Sequence, residues 1–248
     1  MKKKIIFCLF AVCLFSTMNA QNLPPVFGTE YAGKSFNDSR VRTYLTPQRI
    51  VWKYDGGGKL INNPEGLLAK GNNGQSDLTN NKICTMRSTD TERPAILFDF
   101  GKEIQGGVQL ITSRMSKKTP VKIRVRFGES VSEAMSEVGG EKGAINDHAM
   151  RDFTMELPWM GVAEIGNSGF RFVRIDLVEP NTQLNLKEIN AVFTYRDIPY
   201  LGSFRSNDER LNQIWMTGAY TVHLNMQEYL WDGIKRDRLV WLAICTPK

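Results

Sequence analysis

The chain has 248 residues, 42% of them apolar and 23% charged, with a formal charge of +6. That composition supports one sizeable core, or one core plus the beginning of another, and excludes a disordered tail. The basic residues are scattered and form no stripe interleaved with aromatics, which argues against a nucleic-acid partner, and two His with no CxxC pair argue against a zinc site.

Residues 1–20 combine Lys2, Lys3 and Lys4, an apolar run from Ile5 to Phe15 and a small-residue exit at Asn19 and Ala20. This pattern predicts a secretory signal and export to the periplasm or beyond. Loss of the three lysines lowers the formal charge from +6 to +3. No later stretch reaches the roughly 18 uninterrupted apolar residues of a membrane helix, so no span is expected. Cys8 and Cys13 leave with the signal; Cys84 and Cys245 remain, and only the oxidising compartment favours a bridge between them.

Residues 21–48 read as an irregular lead-in punctuated by Pro24, Pro25, Gly28 and Gly33. A β-domain is expected over 49–200. It opens with the strand "RIVWKY" (49–54), followed by Gly56, Gly57 and Gly58, which read as a hairpin turn because no Lys-Ser/Thr pair follows to make a phosphate loop. In "VKIRVRFGES" Val121, Ile123, Val125 and Phe127 alternate with Lys122, Arg124 and Arg126, the period of a strand with one wet face. The segments 95–101, 107–113, 170–178 and 189–195 behave alike, with breaks expected at Gly101, Gly106-Gly107, Gly139-Gly140 and Gly166 to Gly169. Many short strands without helical periods between them predict an antiparallel, jelly-roll-like β-sandwich.

Within that domain "GESVSEAMSEVGGEKG" (128–143) reads as a short surface helix or a loop, and "NDHAMRDF" (146–153), with Asp147, His148, Arg151 and Asp152, as a polar loop in preference to a metal site. Trp52 and Trp159 read as core residues, with a ligand platform as the alternative.

After Tyr200 the period changes. Ser206 and Glu209 suggest a capping box, and Leu211, Ile214, Trp215, Gly218, Val222 and Met226 form a stripe at steps of three and four. One long amphipathic helix is expected from Asn207 to about Glu228. Either it folds back on the sandwich, or it opens a helical domain of which only the start, 201–248, is here.

The last motif is "DGIKRDRLVWL" (232–242), with Asp232, Arg236, Asp237 and Arg238 between Trp231 and Trp241. Sugar sites need this mixture, because carboxyls move protons, Arg holds hydroxyls and aromatic faces take the apolar side of a ring. A solvated charge cluster is the plainer reading of the same residues.

This segment resembles the entrance motif of the α-L-rhamnosidase family of glycoside hydrolases (family 78 type), whose chains run from a β-sandwich into an (α/α)6 barrel. The resemblance implies that the helix is the first of a truncated (α/α)6 barrel. It places Asp237 as general acid, Asp232 and Arg236 on the sugar hydroxyls and Trp241 in the pocket wall. It further implies a partner that is a rhamnose-containing oligosaccharide or polysaccharide, inverting hydrolysis, and no cofactor or metal. Two positions depart from the pattern: Asp237 stands where the common type has Glu, and Ala243-Ile244 stands where Gly-Asp follows the Trp-Leu pair. A single-base deletion turns one coding of Gly-Asp-Met-His-Pro-Glu into residues 243–248, so the chain is expected to be an inactive, truncated product of a longer gene. The alternative is a secreted, non-catalytic carbohydrate-binding sandwich.

Overall fold

The sequence alternation becomes nine antiparallel strands in one bent sheet. The computed structural model describes residues 39–70, 83–138 and 151–240, and everything that follows concerns those residues. The strands are β1 (Arg40–Leu45), β2 (Arg49–Tyr54), β3 (Ile61–Asn62), β4 (Cys84–Arg87), β5 (Ala95–Thr112), β6 (Val121–Gly128), β7 (Asp152–Leu157), β8 (Gly161–Leu177) and β9 (Gln183–Arg196). Two helices complete the set, α1 (Val131–Met135) and α2 (Glu209–Asn225), with a 3-10 turn at Pro64–Leu68.

The expected sandwich is present. Its path is β3-β4-β9-β5-β8-β6-β7, with β1 added to β9 and β2 added to β5. Two long strands make the bend. The first half of β5 pairs with β2, its second half with β9, and β8 runs along its other edge throughout. Both arms of the sheet therefore close on a single core that includes Phe98, Leu110, Ile123, Phe127, Phe170, Ile175 and Leu186, all essentially inaccessible to water. Phe127 stacks on Phe170 with ring centroids 4.6 Å apart, and Phe100 meets Phe170 edge-on at 6.0 Å.

Four expectations are corrected here. The glycines at 101, 106, 107, 166 and 169 do not end strands, because β5 and β8 continue through them with register shifts. Gly106, at φ +147°, passes so close to β9 that a Cβ would stand 1.8 Å from the carbonyl oxygen of Val192. The glycines bend the ladder, and neighbours on both sides keep its hydrogen bonds in place.

The second correction concerns the wet face of β6. Arg126 is only 3% exposed, paired with Asp176 and Glu137, while Arg124 holds Asp152 and Glu137. Next to it α1 packs on β8, and Ala134 and Met135 join Leu97, Phe172, Val51 and Trp52 in a second small cluster. Trp52 is thus half-buried at the edge of that cluster, with the Arg174 guanidinium 4.9 Å above its ring.

Third, Gly56–Gly58 close no hairpin. β2 pairs with β5 and β3 with β4, and the glycine turn hangs on Asp55, whose side chain accepts from Gly58 N–H at 3.0 Å. Fourth, part of the expected lead-in is a strand, since β1 pairs with β9 from Arg40 opposite Arg196 to Leu45 opposite Ala191.

Within the ambiguous acidic segment Val131–Met135 form helix α1, with Ser130 as N-cap, and 139–143 lie outside the described residues. Ser130 Oγ accepts from Glu133 N–H, and Glu133 Oε2 reaches back to Glu129 N–H at 2.7 Å. Cys84 is a free, buried thiol whose pKa burial pushes up to about 12. Cys245, the signal segment, Asp147 and His148 lie outside the described residues. Of the polar loop that remains, Arg151 and Asp152 pair with Glu133 and Arg124.

Candidate functional site

Helix α2 begins at Glu209 and ends at Asn225, two residues later and three earlier than its stripe suggests. Its cap is Asp208, whose side chain accepts from Arg210 N–H at 2.9 Å, and Ser206 sits one step outside, accepting from Asp208 N–H. The expected Ser206–Glu209 box is therefore not the cap. Asp208 takes the role because its carboxylate reaches the orphan donor and also suits the positive helix end.

The C-terminal half of α2 is tied to the sandwich and to the segment that follows β9. His223 Nε2–H donates to the carbonyl of Arg196 at 2.6 Å, and its Nδ1 lies 3.0 Å from the Tyr200 hydroxyl. The Tyr220 hydroxyl donates to the carbonyl of Glu103, and burial raises its pKa. Beyond the helix, Gln227 is buried and donates to the carbonyls of Thr194 and Leu224. Arg196 in turn donates to the carbonyl of Gln227 at 2.8 Å.

The chain then enters the loop 229–240. Asp232 and Leu239 close it reciprocally: Asp232 Oδ1 accepts from Leu239 N–H at 2.9 Å and Leu239 O accepts from Asp232 N–H at 3.1 Å. Asp237 and Arg238 both take the left-handed backbone region, at φ +51° and +52°, and Arg238 N–H donates to the carbonyl of Arg236 across Asp237. Asp237 is therefore the exposed apex of a tight turn.

Three anchors press this loop on the sandwich. Ile234, buried, fills the space that Gly169 leaves empty, where a Cβ would meet Ile234 Cγ1 at 2.6 Å. Arg238 donates to the carbonyl of Asn167 and lies 4.8 Å from the Trp231 ring. Lys235 pairs with Glu133.

Between loop, α2 and sandwich lies a cleft of about 570 Å³. Asp232 and Arg236, both predicted from sequence, line it; Asp237 is outside its lining, and Trp241 lies outside the described residues. Sequence reasoning missed Glu103, Glu129, Tyr220 and Lys235, which line it too. Burial first, and then a hydrogen bond and charge from Glu129, hold the Glu103 carboxyl at about 7, with Lys235 pulling the other way. The cleft therefore offers carboxyls, one of them with a raised pKa, ammonium and guanidinium groups and an aromatic side chain. Among the described residues no group of His, Cys, Asp and Glu is arranged to hold a metal ion, and no helix is long and apolar enough to cross a membrane.

No family profile matches the chain, and no curated protein does. Solved structures do. A rhamnosidase from Klebsiella oxytoca with rhamnose bound overlaps 83% of this chain with a TM-score of 0.60 at 16% identity. The two share a fold. The overlap is longer than residues 1–196 can supply, so it runs past β9 towards α2. This chain spans 39% of the length of that rhamnosidase. A GH78 family rhamnosidase of a Bacillus species overlaps 72% of this chain and 17% of its own, at 16% identity and TM-score 0.49. A fucose binding module of Streptococcus pneumoniae overlaps 47% of this chain and 71% of its own, at 14% identity and TM-score 0.29.

Proposed function

We propose that the chain is the sandwich, first helix and acid-bearing loop of an exported glycoside hydrolase that cleaves terminal α-L-rhamnosides with inversion. The observation that carries this reading is the fold shared with the Klebsiella oxytoca rhamnosidase across the sandwich and beyond its last strand. A second feature supports it: the outer face of α2 presents Leu211, Ile214 and Val222 to water, a stripe that a further layer of helices would cover.

In this reading Asp232 and Arg236 hold sugar hydroxyls in the cleft, and Asp237 gives its proton to the departing glycosidic oxygen. Inversion needs a second carboxylate about 6.5–9.5 Å from the first to activate water on the opposite face of the ring. That base belongs to the helical layer, which also excludes water from the apex where Asp237 now lies open. The 248-residue chain by itself therefore binds L-rhamnose weakly and turns nothing over.

Calorimetric titration of L-rhamnose, with an aryl α-L-rhamnoside assay on the same protein, tests this. Binding that is lost in Asp232→Asn and Arg236→Ala, without hydrolysis, is the expected result. Hydrolysis by this chain, or no binding at all, overturns it. Binding that survives deletion of 205–248 favours a carbohydrate-binding sandwich instead.

A further inference from the structure

Lys235 reaches from the terminal loop to carboxylates of the sandwich. Its side chain is 14% exposed, and its ammonium contacts Glu133 Oε1 and lies 3.6 Å from Glu129 Oε2. Glu133 is itself only 15% exposed and is fixed from the sandwich side: Oε2 accepts from Glu129 N–H, while the buried Arg151 donates to Oε1 at 3.3 Å and to the backbone carbonyl at 3.2 Å. One carboxylate thus serves two cations, and only one of them comes from the loop. The carboxyl facing the same ammonium from β5 is Glu103, and Glu129 faces it from the end of β6. Asp232, Arg236, Asp237 and Arg238 are the other charged residues on Lys235's own loop.

We propose that Lys235 is a positioning residue, a latch that docks the loop 229–240 on the capped helix α1 and so fixes where Asp232, Arg236 and Asp237 stand; its link to catalysis rests on the rhamnosidase reading above. The physical reason is the spacing of the anchors. Ile234 in the Gly169 notch and Arg238 on Asn167 hold the loop on the β8 side. Lys235, the neighbour of Ile234, ties it to a third point, Glu133 of α1, so rotation about the first two anchors is blocked. A half-buried cation between two carboxylates cannot leave without stranding charge, which makes the contact directional where an apolar contact would slide.

Hydrogen exchange followed by mass spectrometry, on the full 248-residue chain, tests the latch. Lys235→Met and Glu133→Gln should each speed exchange in 229–240 by about tenfold or more, leaving amides of β5 and β8 unchanged. Lys235→Arg should restore protection, because Arg can span the same two carboxylates. Glu133 does not line the cleft, so a roughly tenfold weaker affinity for L-rhamnose in Glu133→Gln reports positioning and not lost contact. Unchanged loop exchange in Lys235→Met, or loosening of β5 and β8 together with the loop, overturns the proposal. If the loop loosens as stated but the unaltered chain never binds L-rhamnose, the latch stands and the rhamnosidase reading falls. If the chain binds L-rhamnose and the loop does not loosen, the latch falls and the rhamnosidase reading stands.

Discussion

The sandwich and helix α2 solve opposite problems. In the sandwich each long strand finds a partner on both edges and its apolar face meets the same core, so Phe98, Phe127 and Phe170 are closed to water. In α2 the apolar stripe is as regular, yet Leu224 is its one buried residue, and Ile214 is 59% exposed. The sandwich is held by burial; α2 is held by polar ties at its C-terminal end.

Truncations sharpen the contrast most. Phe170→Ala should cost about 3–5 kcal/mol in denaturant unfolding, whereas Ile214→Ala should change this chain by less than about 0.5 kcal/mol. Equal losses would mean that the α2 stripe is packed after all.

Charge comes next. Asp99 is buried; burial alone would raise its pKa, but Arg171, Gly101 N–H and Arg49 together hold it at about 2. Because that value lies below the unfolded one, its contribution is present above about pH 4 and is lost as pH falls through 2. Asp99→Asn should remove about 2 kcal/mol at pH 7 and flatten acid unfolding in that window. Glu103 has the reverse sign. Its folded pKa near 7 exceeds the unfolded one, so its contribution is complete below about pH 4.3 and disappears as pH rises to 7. Glu103→Gln should abolish that decline, about 1 kcal/mol once solvent screening is allowed for. A slope that survives the substitution would place the proton elsewhere.

The smallest effect separates two caps. Asp208→Ala should cost about 1 kcal/mol and raise exchange in the first turn of α2, while Ser206→Ala should cost a few tenths. The reverse order would restore Ser206 as the cap.

Strand identity was legible wherever alternation was uninterrupted, as in Val121–Phe127, because a side chain's face follows from its parity along the strand. Helix α2 was legible for the same local reason. The start of α1 was written too, in the Ser130 cap three residues before Glu133, a spacing as plain as the one read at Ser206, but the acid and glycine around it favour a loop equally well. What failed was continuity. A glycine reads as a break in one dimension, but β5 crosses Gly101 and Gly106 because β8 and β9 hold its hydrogen bonds from the sides.

The terminal motif was legible as a set of residue types, and Asp232 and Arg236 do line the cleft. The rest of the cleft was not, since Glu103, Glu129 and Lys235 come from three distant places and carry no shared spacing. The sequence alone determined which residues alternate, which recur at helical steps and which carry chemistry, because these are properties of neighbours along the chain. Only the tertiary structure decided that the Glu103 pKa is raised, that Arg126 is buried and that Lys235 meets Glu133. Burial and charge pairing depend on what the bent sheet brings together across a hundred residues.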